Sequence, residues 1–316
     1  MTKVVIGIDI GGTTAKFGVV SENGQLINKW SIPTKVEDHV QDTMRKIISS
    51  IKEHIDDLDL IGIGVDVPGS VRPETKEVYD ANNLGWESDV DIRPFWGEEF
   101  NVPIIVENDA NAAALGEQWQ GSGTKPNLLY VTLGTGVGSG LILDDKLIRG
   151  ASGAIGEIGH VVVEPDGYLC TCVNYGCLET VSSATGIVHL YRDIAKDKAD
   201  MSLTSEDIFN NAENDSVFEL IAVEKACDYL GIAFANATNL LNLDEIIIGG
   251  GVSNAGEFLR EKVEKAVSKH IFKSDVGVTK IKLASLGNDA GILGVCYLAL
   301  SEIIINYSPN IARKFK

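Results

Sequence analysis

A histidine and three cysteines form the most specific chemical pattern in this sequence. His160 is followed by Cys170, Cys172 and Cys177, so three thiols fall within one loop and an imidazole stands upstream of them. Three thiolates and one imidazole are a complete tetrahedral ligand set for structural zinc, with no position left for a catalytic water. The alternative is a chance cluster of buried or free cysteines. We predict that the four residues bind one structural Zn²⁺, which would hold a loop with few hydrophobic anchors.

A glycine turn near the N-terminus could hold phosphate. Its residues are Asp9, Gly11, Gly12, Thr13, Thr14 and Lys16. Glycines let the backbone approach a ligand closely, while threonine hydroxyls and a lysine ammonium can donate to phosphate oxygens. Asp9, at the end of a strand, could hold Mg²⁺ through water. A plain tight hairpin is the alternative, but it would need neither two threonines nor a strand-terminal carboxylate.

Two further glycine turns follow buried strands. The segment 134–140 has four glycines and includes Thr135 and Gly136, and Gly250 and Gly251 follow the apolar run 246–248. The first is not a dinucleotide fingerprint, because a serine stands at position 139 and the next segment is strand-like. Three strand-to-glycine turns in one chain predict a nucleotide that lies across a cleft between two domains.

A carboxylate stands where a buried strand meets an alanine-rich helix. Glu107, Asn108 and Asp109 occupy this junction. Asp109 is either the N-cap of the helix or a general base that faces the cleft. Glu157 and Glu179 bracket the zinc set and supply further polar groups of the kind that a sugar site uses.

These candidates must be positioned by alternating strands and helices. Apolar residues at 40, 44, 47, 48, 51 and 55 predict one amphipathic helix, and helices are also expected over 217–243 and 257–271. Buried strands are expected at 60–65, 102–106, 245–248 and 280–283. This alternation predicts an α/β protein with layered sheets.

Two stretches share one pattern, which is a strand, a glycine loop and a hairpin. The first spans 4–31 and turns at Asn23 and Gly24, and the second spans 128–148 and turns at Asp144 and Asp145. Asn-Gly between apolar runs is a strong hairpin signal. The repetition predicts two related domains.

Composition excludes several classes of protein. The chain has 316 residues with 27 Lys+Arg and 45 Asp+Glu, a net charge of −18, which argues against a nucleic-acid partner. The longest apolar run, 290–305, contains Glu302 and is shorter than the roughly 20 residues that span a bilayer. No signal-peptide pattern precedes the first strand. We expect a cytoplasmic protein that binds neither nucleic acid nor membrane.

In this order, the motifs resemble those of the ROK family, which contains sugar kinases and transcriptional repressors. The resemblance covers essentially the whole chain and is most specific from Leu133 to His160, followed by the cysteines and Glu179. One departure is visible, since Val173 follows Cys172 where the family commonly has glycine. If the loop needs a positive φ at this position, valine is costly there.

The resemblance implies two actin-like, ribonuclease-H-like α/β domains, 1–108 plus 298–316 and 109–297, which close on ATP and a hexose. It implies that Asp109 is the general base for the primary hydroxyl of the sugar. The implied sugar-binding residues are Gly69, Asn83, Asn108, Glu157, His160 and Glu179, with one ring nitrogen of His160 on zinc. The implied phosphate-binding residues are Thr13, Thr14, Lys16, Thr135 and Gly136, and Gly250 and Gly251 would lie on the adenosine side.

The kinase branch of the family fits this sequence better than the repressor branch. Repressors of this type carry an N-terminal helix-turn-helix, whereas the first strand here is expected to begin at Lys3 or Val4. We therefore expect ATP-dependent phosphorylation of a hexose at its primary hydroxyl, most simply of glucose to glucose 6-phosphate. N-acetylmannosamine, mannose, fructose or allose are alternative substrates, polyphosphate is an alternative donor, and a catalytically silent sugar-binding regulator is the non-enzymatic alternative. The resemblance alone implies a homodimer.

Overall fold

The computed structural model describes residues 2–55, 58–86, 89–97 and 99–307, and its contacts divide the chain into two compact units. The first unit comprises Met1–Gly121, Asp145–Ile155 and Asn288–Lys316. The second comprises Ser122–Asp144 and Gly156–Gly287. Strands and helices are numbered below in chain order.

The first unit is built on one mixed sheet. Its strands are β1 (Lys3–Ile10), β2 (Thr14–Ser21), β3 (Leu26–Pro33), β4 (Asp59–Val67) and β7 (Ile104–Asn108). The spatial order is β3-β2-β1-β4-β7, with β1 antiparallel to β2 and parallel to β4, and with β7 parallel to β4. A separate hairpin of β5 (Ser70–Val71) and β6 (Val78–Tyr79) follows β4.

Among the described residues, four helices belong to the first unit, and the longest of them packs against another. The helices are α1 (Val40–Lys52), α2 (Pro94–Gly97), α3 (Asp109–Gln120) and α9 (Ala290–Tyr307). The predicted apolar face of α1 is confirmed, since Met44, Ile47 and Ile51 are fully buried in the core of this unit. Helices α3 and α9 approach so closely at Gly116 and Gly294 that neither position has room for a side chain.

The unit boundaries differ from the predicted domains, 1–108 plus 298–316 and 109–297. Because α3 packs against α9, and α9 packs against β1 and β4, residues 109–121 and 288–297 fall in the first unit. The segment Asp145–Ile155 also joins that unit. It is attached by an ion pair between Arg149 and Glu107 and by a hydrogen bond from the Tyr79 hydroxyl to the Ser152 carbonyl.

The second unit contains a sheet with the same plan. Its strands are β8 (Leu128–Leu133), β9 (Val137–Leu143), β11 (Glu245–Gly249) and β12 (Lys280–Leu283), and β10 (Lys146–Leu147) follows β9 along the chain. Strand β8 is antiparallel to β9 and parallel to β11, which is parallel to β12. Asp144 and Asp145 have φ values of 51° and 60°, as a two-residue hairpin turn requires.

Five helices complete the second unit. They are α4 (Glu179–Ser182), α5 (Ala184–Ala195), α6 (Ser205–Glu213), α7 (Val217–Leu241) and α8 (Gly256–His270). Helices α7 and α8 confirm the predicted helices within two residues at each end. Among the described residues, no helix combines the length and apolar character that crossing a lipid bilayer requires.

The predicted repetition is confirmed by topology. The order β2-β1-β4-β7 in the first unit corresponds strand for strand to β9-β8-β11-β12 in the second. In both sheets an antiparallel hairpin precedes two parallel strands. The central strands, β1 and β8, each end in a glycine turn, so each turn opens at the carboxyl edge of parallel strands, where α/β proteins bind ligands.

Candidate active site

The polar candidates of the first unit lie near the carboxyl ends of three neighbouring parallel strands. Asp9 on β1 pairs in register with Asp66 on β4, and Asp66 pairs with Glu107 on β7. Asn108 ends β7 opposite Val67. Three carboxylates are therefore aligned across the sheet, at the edge where the sequence predicts ligand binding.

Asn108 is the N-cap of α3, and Asp109 is its first helical residue. The Asn108 side-chain oxygen accepts a hydrogen bond from the Asn111 backbone N–H at 3.0 Å. Its amide nitrogen donates to the Gly69 carbonyl at 2.9 Å and to Oδ1 of Asp109 at 3.0 Å, and the Ala110 N–H donates to the same oxygen at 2.7 Å. The capping alternative for Asp109 is therefore wrong, and two donors orient its carboxylate at the positive end of the helix dipole.

Glu107 ties this junction to a residue that the sequence analysis did not assign. The side chain of Glu107 is buried, and its Oε2 accepts a hydrogen bond from Nε of Arg149 at 2.7 Å. Its Oε1 accepts from the Asn108 N–H at 3.1 Å and from Nδ2 of Asn111 at 3.0 Å. This ion pair holds the residue that precedes the cap, and no sequence motif indicated it.

Asp66 is the second residue that sequence reasoning missed. Its side chain is buried, and its Oδ2 has no hydrogen-bond partner among the described residues. Burial first, and then the charges of Asp9 and Asp109, raise the pKa of Asp66 well above its ordinary value. An acidic residue inside an otherwise apolar strand was the signal that could have identified it.

The first glycine turn is held by its own backbone and by Thr34, the residue that follows β3. The Gly11 N–H donates to the Thr14 carbonyl at 3.0 Å, and the Thr34 hydroxyl donates to the Gly11 carbonyl at 2.6 Å. The carbonyl of Asn83 lies so close to Gly12 that a Cβ there would come within 2.5 Å of it. Asn83, a predicted sugar-binding residue, is therefore placed beside this turn.

Within the same turn, the ammonium of Lys16 donates to Oδ2 of Asp9 at 2.9 Å. The two side chains are partly exposed, as groups that exchange this contact for a ligand would need to be. Thr13 is exposed and Thr14 half-buried. A carboxylate, an ammonium and two hydroxyls are thus grouped on one hairpin, which fits a phosphate-binding turn with a cation ligand.

The other two glycine turns are neighbours within the second unit. Gly250 has a φ of 80°, and a Cβ on it would come within 2.5 Å of the Leu133 carbonyl, directly before the turn 134–136. That turn is held at the start of α5, where the Ala184 N–H donates to the Gly134 carbonyl at 2.8 Å and the Thr185 hydroxyl to the Thr135 carbonyl at 3.2 Å.

Gly251 lines a small cavity of about 70 Å³ in this region. The other lining residues are Ser205, Glu206, Phe209, Asn210, Val252, Asn254 and Ala255. The residues from α6 were not predicted, because no local motif marks that helix. The cavity places polar and aromatic groups beside the turn to which the resemblance assigns the adenosine side.

The predicted zinc ligands come together in the second unit. One ligand atom from each of His160, Cys170, Cys172 and Cys177 lies within 4.8 Å of all the others. Nδ1 of His160 is 3.6 Å from Sγ of Cys170, and the sulfurs of Cys172 and Cys177 are also 3.6 Å apart. Ligands about 2.3 Å from a tetrahedral zinc would be about 3.8 Å from one another, so the four residues fit the ion.

Zinc binding would require the Cys177 thiol to lose its proton. Burial, together with the adjacent Cys172 and Cys170 sulfurs, raises the pKa of the Cys177 thiol to about 12. A divalent cation would remove this obstacle to thiolate formation, since metal ligation deprotonates a coordinating thiol. Val173 has a φ of 66°, which confirms that the loop needs a left-handed residue where this chain has valine.

Glu157 and Glu179, the predicted sugar-binding carboxylates of this unit, lie near the zinc ligands. Oε2 of Glu179 accepts a hydrogen bond from the Val137 N–H at 3.0 Å, and its Oε1 is 3.9 Å from Sγ of Cys170. Loss of hydration raises the pKa of Glu157, and the charge of Glu179 raises it further, whereas His160 lowers it. Because Nδ1 of His160 faces Cys170, Nε2 is the nitrogen available for a hydroxyl.

Comparisons with known proteins identify the family. The model of the ROK family matches residues 5–302. A glucokinase from Halalkalibacterium halodurans is 38% identical, over 94% of this chain and 95% of its own. A xylose repressor from Caldicellulosiruptor bescii is 29% identical, over 95% of this chain and 79% of its own.

Solved structures extend the comparison to the fold. A ROK family glucokinase from Streptomyces griseus, in complex with glucose and AMPPNP, superimposes with a TM-score of 0.77 at 28% identity, over 93% of this chain and 98% of its own. The mixed α/β architecture with two related sheets is thus the actin-like, ribonuclease-H-like fold of ROK sugar kinases. The predicted fold class is confirmed.

Proposed function

The chain belongs to the ROK family, and from that premise we propose that it is an ATP-dependent sugar kinase that converts glucose to glucose 6-phosphate. The glucokinase relatives support the choice of glucose, and the complex of a neighbouring structure with glucose and AMPPNP supports ATP as the donor. The repressor relatives match with only part of their own length.

The observation that carries the proposal is the oriented carboxylate of Asp109. Asn108 caps α3 and, with the Ala110 N–H, holds Oδ1 of Asp109 in place. A fixed carboxylate at the start of a helix can serve as the proton acceptor in phosphoryl transfer to an alcohol. The sugar oxygen would attack the γ-phosphorus, its proton would pass to Asp109, and the bond to the bridging oxygen of ADP would break.

The remaining residues of the first unit have positioning roles in this proposal. Asn108 and Gly69, which are joined by a hydrogen bond, would contact the sugar. Asn83, which follows the hairpin of β5 and β6 in the chain, would contact it too. Gly11, Gly12, Thr13, Thr14 and Lys16 would bind phosphate. Mg²⁺ would neutralise charge on the phosphates, and Asp9 is the carboxylate that would hold it.

The second unit would contribute groups of two kinds. Glu157, Glu179 and Nε2 of His160 would bind sugar hydroxyls, and the zinc held by His160 and the three cysteines would fix their loop. Thr135 and Gly136 would bind phosphate, and Gly250 and Gly251 would lie against the adenosine. The hydrogen bond from the Val137 N–H to Glu179 supports this proposal, because it joins a proposed sugar-binding carboxylate to the proposed phosphate-binding turn.

We further propose a cytoplasmic homodimer, with a hexose and ATP as its small-molecule partners and no nucleic-acid or membrane partner. The net charge of −18 supports the exclusion of nucleic acid. Light scattering of the purified chain tests the dimer, and a monomeric mass would contradict it.

An assay of ADP release tests the function directly. We expect turnover with glucose and ATP, and slower turnover with N-acetylmannosamine, mannose, fructose or allose. Polyphosphate releases no ADP, so with this donor the sugar phosphate itself is measured, and we expect it to form more slowly than with ATP. Faster turnover with another hexose would show that this hexose, and not glucose, is the preferred substrate. No turnover with any hexose would leave a sugar-binding regulator as the function.

A substitution tests the role of Asp109. Asp109→Asn should lower kcat by about 10²–10⁴ and leave the melting temperature unchanged, because the amide cannot accept the proton. Asp197→Asn, at an exposed position in the second unit, is the control and should behave as the wild type. Near-normal turnover of Asp109→Asn would contradict the assignment.

A further inference from the structure

A second cavity, of about 230 Å³, lies within the first unit. It is formed by the hairpin of β5 and β6, the start of α2, the strand β7, the segment Asp145–Ile155 and α9. Its charged lining residues are Arg72, Lys76, Arg93, Arg149 and Glu302, and the rest of the lining is apolar. None of them was assigned a role by the sequence analysis or by the resemblance.

The charge of this cavity is opposite to that of the chain. Four lining residues are cationic, namely Arg72, Lys76, Arg93 and Arg149, and only Glu302 is acidic, in a chain whose net charge is −18. No described residue forms a hydrogen bond or ion pair with the ammonium of Lys76. Cations from three separate parts of the chain, the turn between β5 and β6, the residue before α2, and the segment after β9, therefore line one small space.

The three arginines are oriented by carboxylates that leave donors unused. Nε and Nη2 of Arg72 bind Asp89 at 3.2 and 2.6 Å, and Nε and Nη2 of Arg93 bind Asp91 at 2.8 and 2.7 Å. Arg149 uses its Nε on Glu107. In each case at least one terminal nitrogen has no partner among the described residues, so the pairs fix the guanidinium planes while N–H groups remain for a ligand.

We propose that this cavity binds a small phosphate-bearing anion. A phosphate offers several acceptor oxygens, and convergent guanidinium and ammonium donors are the groups that recognise it. A volume of about 230 Å³ suits inorganic phosphate or a hexose phosphate, and it is smaller than the roughly 300–1,000 Å³ of pockets that enclose larger ligands. The charges of Asp89, Asp91 and Glu107, of Glu77 at 3.9 Å from Arg72, and of Glu302 in the lining limit the affinity, because they neutralise much of the cationic charge.

The cavity is connected to the junction of β7 and α3 by two hydrogen bonds. Arg149 lines the cavity and donates to Oε2 of Glu107, and Oε1 of Glu107 accepts from the N–H of Asn108. An anion that engages the terminal nitrogens of Arg149 would thus act on the residue that orients Asp109. This coupling to activity rests on the proposed kinase function, whereas the binding itself does not.

Calorimetric titration with inorganic phosphate and, separately, with glucose 6-phosphate tests the proposal. The titrations contain saturating glucose, which occupies the sugar site for which glucose 6-phosphate would otherwise compete. Under this condition we expect saturable binding of at least one probe to the wild type. Lys76→Asn should weaken that binding about tenfold, because a charge-assisted hydrogen bond is lost. Asparagine tolerates the φ of 64° at this position, so folding should be kept.

Lys196→Asn is the matched control. It removes the same charge from an exposed lysine that also has a positive φ, 51°, but lies in the second unit. Arg72→Gln, whose folding is checked by its melting temperature, should weaken binding like Lys76→Asn. Binding that Lys196→Asn weakens as much as Lys76→Asn, binding unchanged in both cavity variants, or no saturable binding of either probe would overturn the proposal.

An activity measurement separates this proposal from the proposed function. If the protein releases ADP with glucose, the bound probe should change kcat in the wild type and in Lys196→Asn but not in Lys76→Asn. If no hexose gives turnover, the kinase proposal fails while the titration still decides whether the cavity binds phosphate. Turnover that responds to the probe equally in Lys76→Asn and the wild type would refute the coupling.

Discussion

The carboxylate of Glu179 accepts a hydrogen bond from the backbone N–H of Val137 at 3.0 Å. Its other oxygen lies 3.9 Å from Sγ of Cys170, one of the four candidate zinc ligands. One side chain at the start of α4 therefore joins the metal loop to the glycine turn that opens β9. This contact indicates that the loop with the candidate zinc ligands supports the glycine turn, in addition to the hydrogen bonds of the turn's own backbone.

Replacing Glu179 tests this connection between the cysteine loop and the glycine turn. Glu179→Ala should speed hydrogen exchange at the Val137 amide and lower the free energy of unfolding by about 1–3 kcal/mol, because a partly buried N–H loses its acceptor. Glu261→Ala, at an exposed position on α8, is the control and should change neither quantity appreciably. Unchanged exchange at Val137 would show that the turn holds itself.

Removing the metal should have a larger effect than removing one contact. We expect one zinc per chain in elemental analysis, and a marked fall in melting temperature after chelation, because metal binding stabilises only the folded state. Cys172→Ser should lose the zinc, whereas Cys227→Ala, in which the changed cysteine is buried in α7 away from the ligand set, should keep it. Purified protein without zinc would contradict the prediction.

Replacing Val173 should stabilise the folded chain, whereas the changes described above should destabilise it. Its φ of 66° is unfavourable for a β-branched residue, at a cost of about 1–3 kcal/mol, whereas glycine adopts it freely. Val173→Gly should therefore raise the free energy of unfolding by about 1 kcal/mol after the entropy of the extra glycine is subtracted. Val276→Gly, at an exposed valine with φ −58°, is the control and should lower it. Equal losses in both variants would show that the loop strain is negligible.

Asp66 predicts a pH dependence of stability. Because its pKa is raised in the folded state, the folded chain binds more protons than the unfolded chain above about pH 4, so this residue lowers stability as pH rises. The loss approaches about 1.4 kcal/mol per pH unit between the unfolded and folded pKa values. Asp66→Asn should remove that slope and be more stable than the wild type at neutral pH. Denaturant unfolding at several pH values gives the free energy of unfolding of the wild type and of Asp66→Asn. The same pH dependence of this free energy in both proteins would contradict the prediction.

Local patterns were enough to predict the elements and the grouped ligands. The spacing of Met44, Ile47 and Ile51 predicts α1, and the strand–glycine–hairpin repeat predicts two sheets of one topology, because both depend on residues close in sequence. The zinc set was predictable for the same reason, since three of its ligands share one loop. The strained backbone at Val173 also followed from local comparison with the family motif.

Contacts between distant segments were decided only by the tertiary structure. Arg149 pairs with Glu107, Asp66 lies between Asp9 and Glu107, and α9 brings residues 288–297 into the first unit, although none of these pairs is close in the chain. Which nitrogen of His160 faces the cysteines, and that Asn108 rather than Asp109 caps α3, likewise depend on three-dimensional geometry. Sequence alone determined the chemical groups and their local elements, because these follow from short-range periodicity and turn chemistry. The folded chain decided their partners and protonation, because burial and long-range contacts exist only after packing.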